Sequence, residues 1–235
     1  MLDSAALRAR LADVRERIAR AAGRVQRDPA SIRLVAISKT FNAEHVRAAA
    51  DTGQVDFGEN KVQEGLQKME ETAGLPIRWH LVGHLQSNKA RKAAARFDAI
   101  HSVDALELAG KLDQAAAAAG RTLELLAQVD LAGEPTKHGA REDELLAIFD
   151  GARAFRAAHL KGLMLLPPAV ENPEEARDYF RALSSVRERL IARGVDRSML
   201  TELSMGMSHD FEIAVEEGAT LVRVGTAIFG SRTHV

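Results

Sequence analysis

The sequence predicts an α/β fold: a single (β/α)8 TIM barrel preceded by an N-terminal amphipathic helix, with the helix at 1–27 and the barrel at 32–230. Three observations predict it. Eight short runs rich in apolar and β-branched residues recur along the chain, each parted from the next by one helical stretch. The run at 123–129 is nearly continuously apolar, as expected of a parallel strand buried on both faces. No linker or low-complexity tract interrupts the 235 residues, so one domain accounts for them. A doubly wound open sheet is the alternative, weakened because no dinucleotide fingerprint opens the first βα turn.

Composition excludes several classes of function. A formal net charge of -1 gives no global basic field, so neither nucleic acid nor a membrane surface is an expected partner. Cysteine is absent, which removes disulfides, thiolate metal sites and cysteine nucleophiles. The N-terminus lacks the apolar core of a signal peptide, and no run approaches the ~20 apolar residues of a membrane span. A cytoplasmic protein is the expectation.

Taken in order, residues 3–26 read as the leading helix, because Leu7, Leu11, Val14, Ile18 and Val25 recur at three- and four-residue steps. Asp3, Asp13 and Glu16 argue against a transit peptide. The first strand covers 34–40. Asn42 is expected to cap a helix through Ala50 that Gly53 stops. A second strand at 55–60 precedes a helix carrying Val62, Leu66 and Met69, and a third at 78–83 precedes one that Ser87 would cap. Strand four, at 99–103, runs into Asp104 and Glu107 at the spacing of a capping box. After strand five a polar loop leads to Gly139 and a helix through Leu145, Leu146, Ile148 and Phe149. Strand six covers 162–166, and Asn172-Pro173 then supplies a cap and a first-turn proline. Strand seven covers 200–205, Ser208 can cap a short helix containing Ile213 and Val215, and strand eight covers 220–229.

In a barrel of this kind function belongs at the C-terminal ends of the strands, and polar residues gather there. Alternation along strand one puts Val35, Ile37 and Lys39 on one face, so an ammonium shares its surroundings with apolar neighbours. Such a lysine is expected to have a lowered pKa, as a Schiff-base lysine needs; the alternative is a lysine reaching out to solvent. On strand eight the same alternation turns Leu221, Arg223 and Gly225 inward against Val222 and Val224. An inward guanidinium needs an anion or a fixed acceptor, and an inward Asp or Glu would serve as well as a ligand. Gly225 lets a ligand approach the backbone, while Ser204 and Ser208 add hydroxyls at a helix N-terminus. Together these residues compose a phosphate site, although both serines could be ordinary caps. Asn60 either touches the ligand or caps the helix after it.

The remaining candidates carry less. His80 and His84 are four apart, but on a strand and loop rather than a helix, and no third metal ligand stands near them in sequence. Asn88, Lys89, Arg91 and Lys92 read as a solvated helix face. Lys137 and His138 either meet an anion at the barrel mouth or are exposed.

Longer motifs add a resemblance. Ser38-Lys39-Thr40, Phe57-Gly58-Glu59-Asn60, the run 80–89, the run 203–208 and the run 222–230 resemble the pyridoxal phosphate homeostasis protein family, across essentially the whole chain. One departure is Asn42, where that family usually has proline. The resemblance implies a fold-type III barrel, like the N-terminal domain of alanine racemase, with pyridoxal 5'-phosphate (PLP) as a Schiff base on Lys39. It further implies that Ser208, Gly225, Thr226 and Ser204 hold the phosphate, and that Arg223 faces the pyridine nitrogen.

Three functions then compete. The first, and the one expected, is a non-catalytic PLP carrier that buffers the cofactor and delivers it to apo PLP-dependent enzymes. The second is an amino-acid racemase. Racemases of this barrel take a tyrosine acid/base and a dimer contact from a C-terminal domain, whereas here the sequence ends with strand eight and its one tyrosine, Tyr179, lies on a helix. A monomer is therefore expected, with only His84 or His209 available as a substitute acid/base. The third is a class I aldolase-like barrel, which would need no cofactor.

Overall fold

The computed structural model describes residues 3–131 and 138–230. Among them eight parallel strands close into a barrel in sequence order. Closure is carried by β1 (Arg33–Ile37), which pairs with β2 (Asp56–Glu59) on one side and β8 (Leu221–Val224) on the other. Ala36 lies opposite Phe57 in the first pairing and Val224 in the second. Between them run β3 (Arg78–Leu81), β4 (Ala99–Val103), β5 (Leu123–Val129), β6 (Ala158–Leu165) and β7 (Glu202–Ser204).

Alternation sorts the strand residues as the pattern requires. Outward side chains such as Leu34, Ala36, Phe57, Ile100, Val222 and Val224 join one large apolar layer with the helices. Inward ones, Val35, Ile37, Val82, Leu126, Met164 and Leu221, form a separate small cluster inside the barrel. Gly58 belongs to the interior: a Cβ there would stand 2.4 Å from Ile37 Cδ1, so the glycine leaves room for the isoleucine as it is placed.

The outer shell comprises α2 (Ala43–Ala50), α3 (Val62–Glu71), α4 (Ala90–Ala94), α5 (Leu106–Ala118), α6 (Glu142–Ala152), α7 (Arg177–Ala192) and α8 (Phe211–Glu216). The leading helix, α1 (Ser4–Arg24), is capped by Asp3 and buries Leu7, Leu11, Val14 and Ile18. It packs on α8, α2 and the four-residue α9 (Thr226–Phe229), taking a shell position that α9 is too short to fill. Arg27 then fastens the end of this segment, donating to the carbonyls of Val215 at 2.6 Å and Ala219 at 2.7 Å.

Several expected boundaries shift. β6 begins at Ala158 rather than 162, because a partly exposed alternating stretch, Ala-His-Leu-Lys, is already paired with β5. Strand eight ends at Val224, and what reads as its second half is α9, entered through Gly225. Asn42 and Asn172 cap as expected. Four others do not. Ser87 opens a 3-10 turn, Asp104 is passed over for Ala105, Lys61 rather than Asn60 stands at the N-cap of α3, and Asp210 rather than Ser208 stands before α8.

Candidate functional site

A cavity of about 530 Å3 opens at the C-terminal ends of the strands. Its floor is apolar, from Ile37, Val82 and Leu166, and its rim carries Lys39, Asn60, Ser208, Arg223, Gly225 and Thr226. Six of the seven residues singled out in the sequence therefore meet here. Ser204 is the other. It is fully buried below the cavity, where it joins Arg223 to His101.

Lys39 follows β1 in a turn and is half-buried. Among the described residues its amine has no ion pair and no hydrogen bond, so it is free to react. The backbone on either side is fixed instead. Ser38 Oγ donates to Glu59 Oε1 at 2.6 Å, and the buried Lys68 amine of α3 reaches Ser38 O at 2.7 Å, Glu59 Oε1 at 2.6 Å and Glu64 Oε1 at 2.8 Å. Thr40 N donates to the same Glu64 oxygen at 2.5 Å. Thr40 has a φ of +71°, an unfavourable value for a β-branched residue, so the turn presenting Lys39 is held against local strain. Burial pushes the Glu59 carboxyl above its ordinary range despite the bonds from Lys68 and Ser38. Its Oε2 has no partner among the described residues.

Arg223 is 3% exposed and points into the barrel as alternation requires. Its Nη1 donates to Ser204 Oγ at 2.6 Å and its Nη2 to the carbonyl of Leu165 at 2.8 Å. No carboxylate contacts it among the described residues, which removes the structural ion pair as its explanation. Burial lowers its pKa to about 10, opposed by the charge of Asp210, and it remains a cation at neutral pH. Two of its five N–H groups are accounted for by these bonds, which leaves others for the cavity it lines.

The turn between β8 and α9 supplies hydroxyl and amide donors. Ser208 Oγ accepts from Gly225 N at 3.1 Å and Ala227 N at 3.2 Å. With its oxygen so occupied, the serine hydroxyl hydrogen is free to point at a ligand. Added to Thr226 and a helical-turn N-terminus, this is an arrangement suited to an anion. Gly225 leaves the wall open: a Cβ there would lie 3.3 Å from Ile37 O. On the opposite wall Gly83 permits close approach, since a Cβ would stand 2.2 Å from Asn60 O.

At the mouth, His84 and His138 stack with ring centroids 3.5 Å apart and planes 10° from parallel, and His84 Nδ1 lies 3.8 Å from Asp104 Oδ2. The sequence offered His84 no third partner; the fold brings Asp104 and His138 to it. Parallel rings aim their nitrogen lone pairs side by side rather than at one point, so the trio forms a stacked pair beside a carboxylate. His80 is elsewhere, buried within the barrel. Lys137 lies outside the described residues, and Asn88, Lys89, Arg91 and Lys92 are exposed as expected.

The lining fits a small, planar, phosphorylated aldehyde: a free amine, a cation at the floor's edge, apolar walls and an anion cradle. Comparison with known proteins agrees. Residues 3–233 match the family model for the N-terminal domain of alanine racemase. The pyridoxal phosphate homeostasis protein of Pseudomonas aeruginosa is 42% identical over 224 residues, covering 95% of each chain. That of Aquifex aeolicus is 40% identical, covering 96% of this chain and 98% of its own. Among solved structures, PipY of Synechococcus elongatus, determined with PLP bound, aligns with a TM-score of 0.84 at 40% identity, covering 95% of this chain and all of its own.

Proposed function

Since the chain belongs to the alanine racemase N-terminal-domain family and, within it, to the pyridoxal phosphate homeostasis proteins, we propose that it binds PLP through Lys39 and serves as a carrier, buffering the cofactor in the cytoplasm and handing it to apo-enzymes. One observation carries this reading. A lysine amine and a buried arginine, neither of them paired with a carboxylate among the described residues, face the same cavity, beside a turn built to receive an anion.

The residues divide the cofactor between them. Lys39 would hold its aldehyde carbon, Ser208, Gly225 and Thr226 its phosphate, Asn60 a polar edge, and Arg223 the neighbourhood of its ring nitrogen. When bound, PLP supplies an electron-withdrawing ring. The Arg223 guanidinium beside the nitrogen would disfavour its protonation, so the ring would withdraw electrons less than one paired with a carboxylate. Ser204 acts at one remove, by holding Arg223.

No tyrosine lines the cavity among the described residues, and Tyr179 packs against the outer apolar layer from α7. The racemase alternative therefore depends on His84, His138 or His209, which do line it. Large exposed apolar residues, Val25, Val55, Leu106 and Met207, lie singly on separate elements, which suits a monomer. Among the described residues no helix is long and apolar enough to cross a membrane.

The test is the visible absorbance of the protein after incubation with PLP, beside a Lys39→Ala variant, before and after D- and L-alanine. A visible band that disappears in the variant is expected, with no conversion of either enantiomer. Absence of the band in the wild type refutes cofactor binding. Turnover of either alanine makes the protein an enzyme.

A further inference from the structure

Below the cavity, a chain of side chains crosses the barrel interior from Arg223 to the opposite end. Arg223 Nη1 lies 2.6 Å from Ser204 Oγ, which lies 2.8 Å from His101 Nδ1. His101 Nε2 lies 2.9 Å from His80 Nδ1, and His80 Nε2 lies 2.8 Å from Asp56 Oδ1. Ser204, His80 and His101 are fully buried, whereas Asp56, at the start of β2, is partly open to solvent at the far end. The strands β2, β3, β4, β7 and β8 each contribute one member. Nothing in cofactor binding as described above uses His80, His101 or Asp56.

Hydrogen-bond accounting gives the chain a direction. A guanidinium only donates, so Ser204 Oγ accepts from Arg223. Asp56 sits below the ordinary aspartate range: burial pushes it up, but the hydrogen bond from His80 and the charges of Arg78 and Arg33 outweigh that. An ionised carboxylate only accepts, so His80 Nε2 donates. Burial holds His101 well below the ordinary histidine range, reinforced by the charge of Arg223, so it is neutral with one donor and one acceptor nitrogen. One assignment satisfies every member. Ser204 O–H donates to His101 Nδ1, His101 Nε2–H to His80 Nδ1, and His80 Nε2–H to Asp56. The reverse tautomer of His101 sets two bare nitrogens 2.9 Å apart, or else requires a doubly protonated His80 and leaves the serine hydroxyl hydrogen without an acceptor in the chain.

The geometry points to His80 and His101 as positioning residues: with Ser204 they form a one-way relay that fixes the Arg223 guanidinium against the cofactor ring and ties its orientation to the carboxylate of Asp56 at the far mouth of the barrel. This rests on the reading that Arg223 faces bound PLP. Each polar link keeps the next in register, and the terminal carboxylate balances a buried cation that no carboxylate touches among the described residues. A second proton on His80 would reverse the links, so that His101 Nδ1–H donates to Ser204 Oγ and the serine hydroxyl hydrogen loses its acceptor in the chain. The titratable and charged groups around that point are Asp56 on β2, the neutral His101 on β4 and, 3.9 Å beyond Asp56, Arg78. Arg78 is itself paired with Glu124 of β5 at 3.0 Å, and Arg33 of β1 with Glu202 of β7 at 2.9 Å.

Two measurements test the relay. The first is nitrogen-15 NMR of the imidazoles in protein without PLP, across about pH 6 to about pH 8, the range in which histidines ordinarily titrate. Both buried histidines are expected as neutral Nε2–H tautomers at the upper end; an Nδ1–H tautomer of either overturns the relay. The second compares Asp56→Asn with Glu124→Gln, an acid at the same end but outside the chain. Asp56→Asn is expected to weaken PLP binding at least about 5-fold, the low end of coupling between linked sites, and to move the pH midpoint of the visible band. Glu124→Gln is expected to change neither. Equal effects, or none from Asp56→Asn, overturn the proposal. Should the wild type take up no PLP, the cofactor reading fails, and the tautomers alone uphold or overturn the relay.

Discussion

Lys68→Met removes a cation on which a buried carboxylate depends. The Lys68 side chain is 6% exposed, that of Glu59 fully buried, and the amine makes three hydrogen bonds at 2.6 to 2.8 Å. Methionine keeps most of the aliphatic stem and the packing of α3, so the loss is electrostatic. Breaking a buried pair from one side costs about 3–5 kcal/mol, because the remaining charge is left without compensation. For a chain of this size that lowers the melting temperature by roughly 10 °C. The single tryptophan, Trp79, is 5% exposed and packs on Phe57, so its fluorescence follows urea unfolding.

The penalty must also depend on pH. Glu59 titrates above its ordinary value of 4.5, so the folded state binds more protons than the unfolded one between the two values. Stability from this group is present at low pH and lost as pH rises through the raised value. Lys68 is the largest influence opposing that shift, so the variant raises Glu59 further. The gap between variant and wild type therefore widens as pH rises above the ordinary glutamate range and through the raised value. Adding Glu59→Gln to Lys68→Met should recover at least half of the loss, since it removes the stranded charge. A loss below about 1 kcal/mol, or one that does not change with pH, refutes this account of the pair.

Two further substitutions probe the frame around the site. Gly162→Ala would place a Cβ 1.8 Å from the Glu202 carbonyl oxygen on the paired strand β7, and overpacking against backbone should cost about 3 kcal/mol or more in thermal unfolding, whereas a shift equivalent to under about 1 kcal/mol would contradict the β6–β7 spacing. Arg27→Ala removes two charged hydrogen bonds to the β7–β8 connection, for an expected loss of about 2 kcal/mol and faster amide exchange in α1; unchanged exchange there would show that α1 does not need this fastening.

Periodicity made the barrel legible because each strand must bury one face in the helical layer and the other in the interior, which stamps the same alternation eight times. It could not settle local endings. The run after Val224 is as apolar as a strand, and only the backbone turn at Gly225 makes it α9. Short polar residues before a helix were equally ambiguous: Ser208 looks like a cap and instead accepts two amides of the turn between β8 and α9. The cavity residues on strand ends followed from the fold class, since a barrel collects them at one rim. Lys68 did not, because it reaches the site from the middle of α3. A signal for the histidine relay was present: Asp56, His80 and His101 each break an apolar strand, next to outward Phe57, Leu81 and Ile100. Taken together, the three breaks point to an interior polar chain, whereas weighing His80 with His84 as a metal pair does not.

The two cations of the cavity are supported by separate routes, and this makes the routes experimentally separable. Lys39 hangs on a turn braced by Ser38, Glu59, Glu64 and Lys68, outside the barrel wall and under α3. Arg223 hangs on the relay through the interior to Asp56. No residue belongs to both. A change at Lys68 should therefore disturb stability and the attachment of the cofactor's aldehyde while leaving the tautomers of His80 and His101 intact. A change at Asp56 should do the opposite, altering the surroundings of the ring without loosening the lysine turn. Effects of Lys68→Met and Asp56→Asn on PLP affinity should accordingly add, as expected for sites that share no partner. Strong non-additivity between them would mean that the bound cofactor itself couples the two supports.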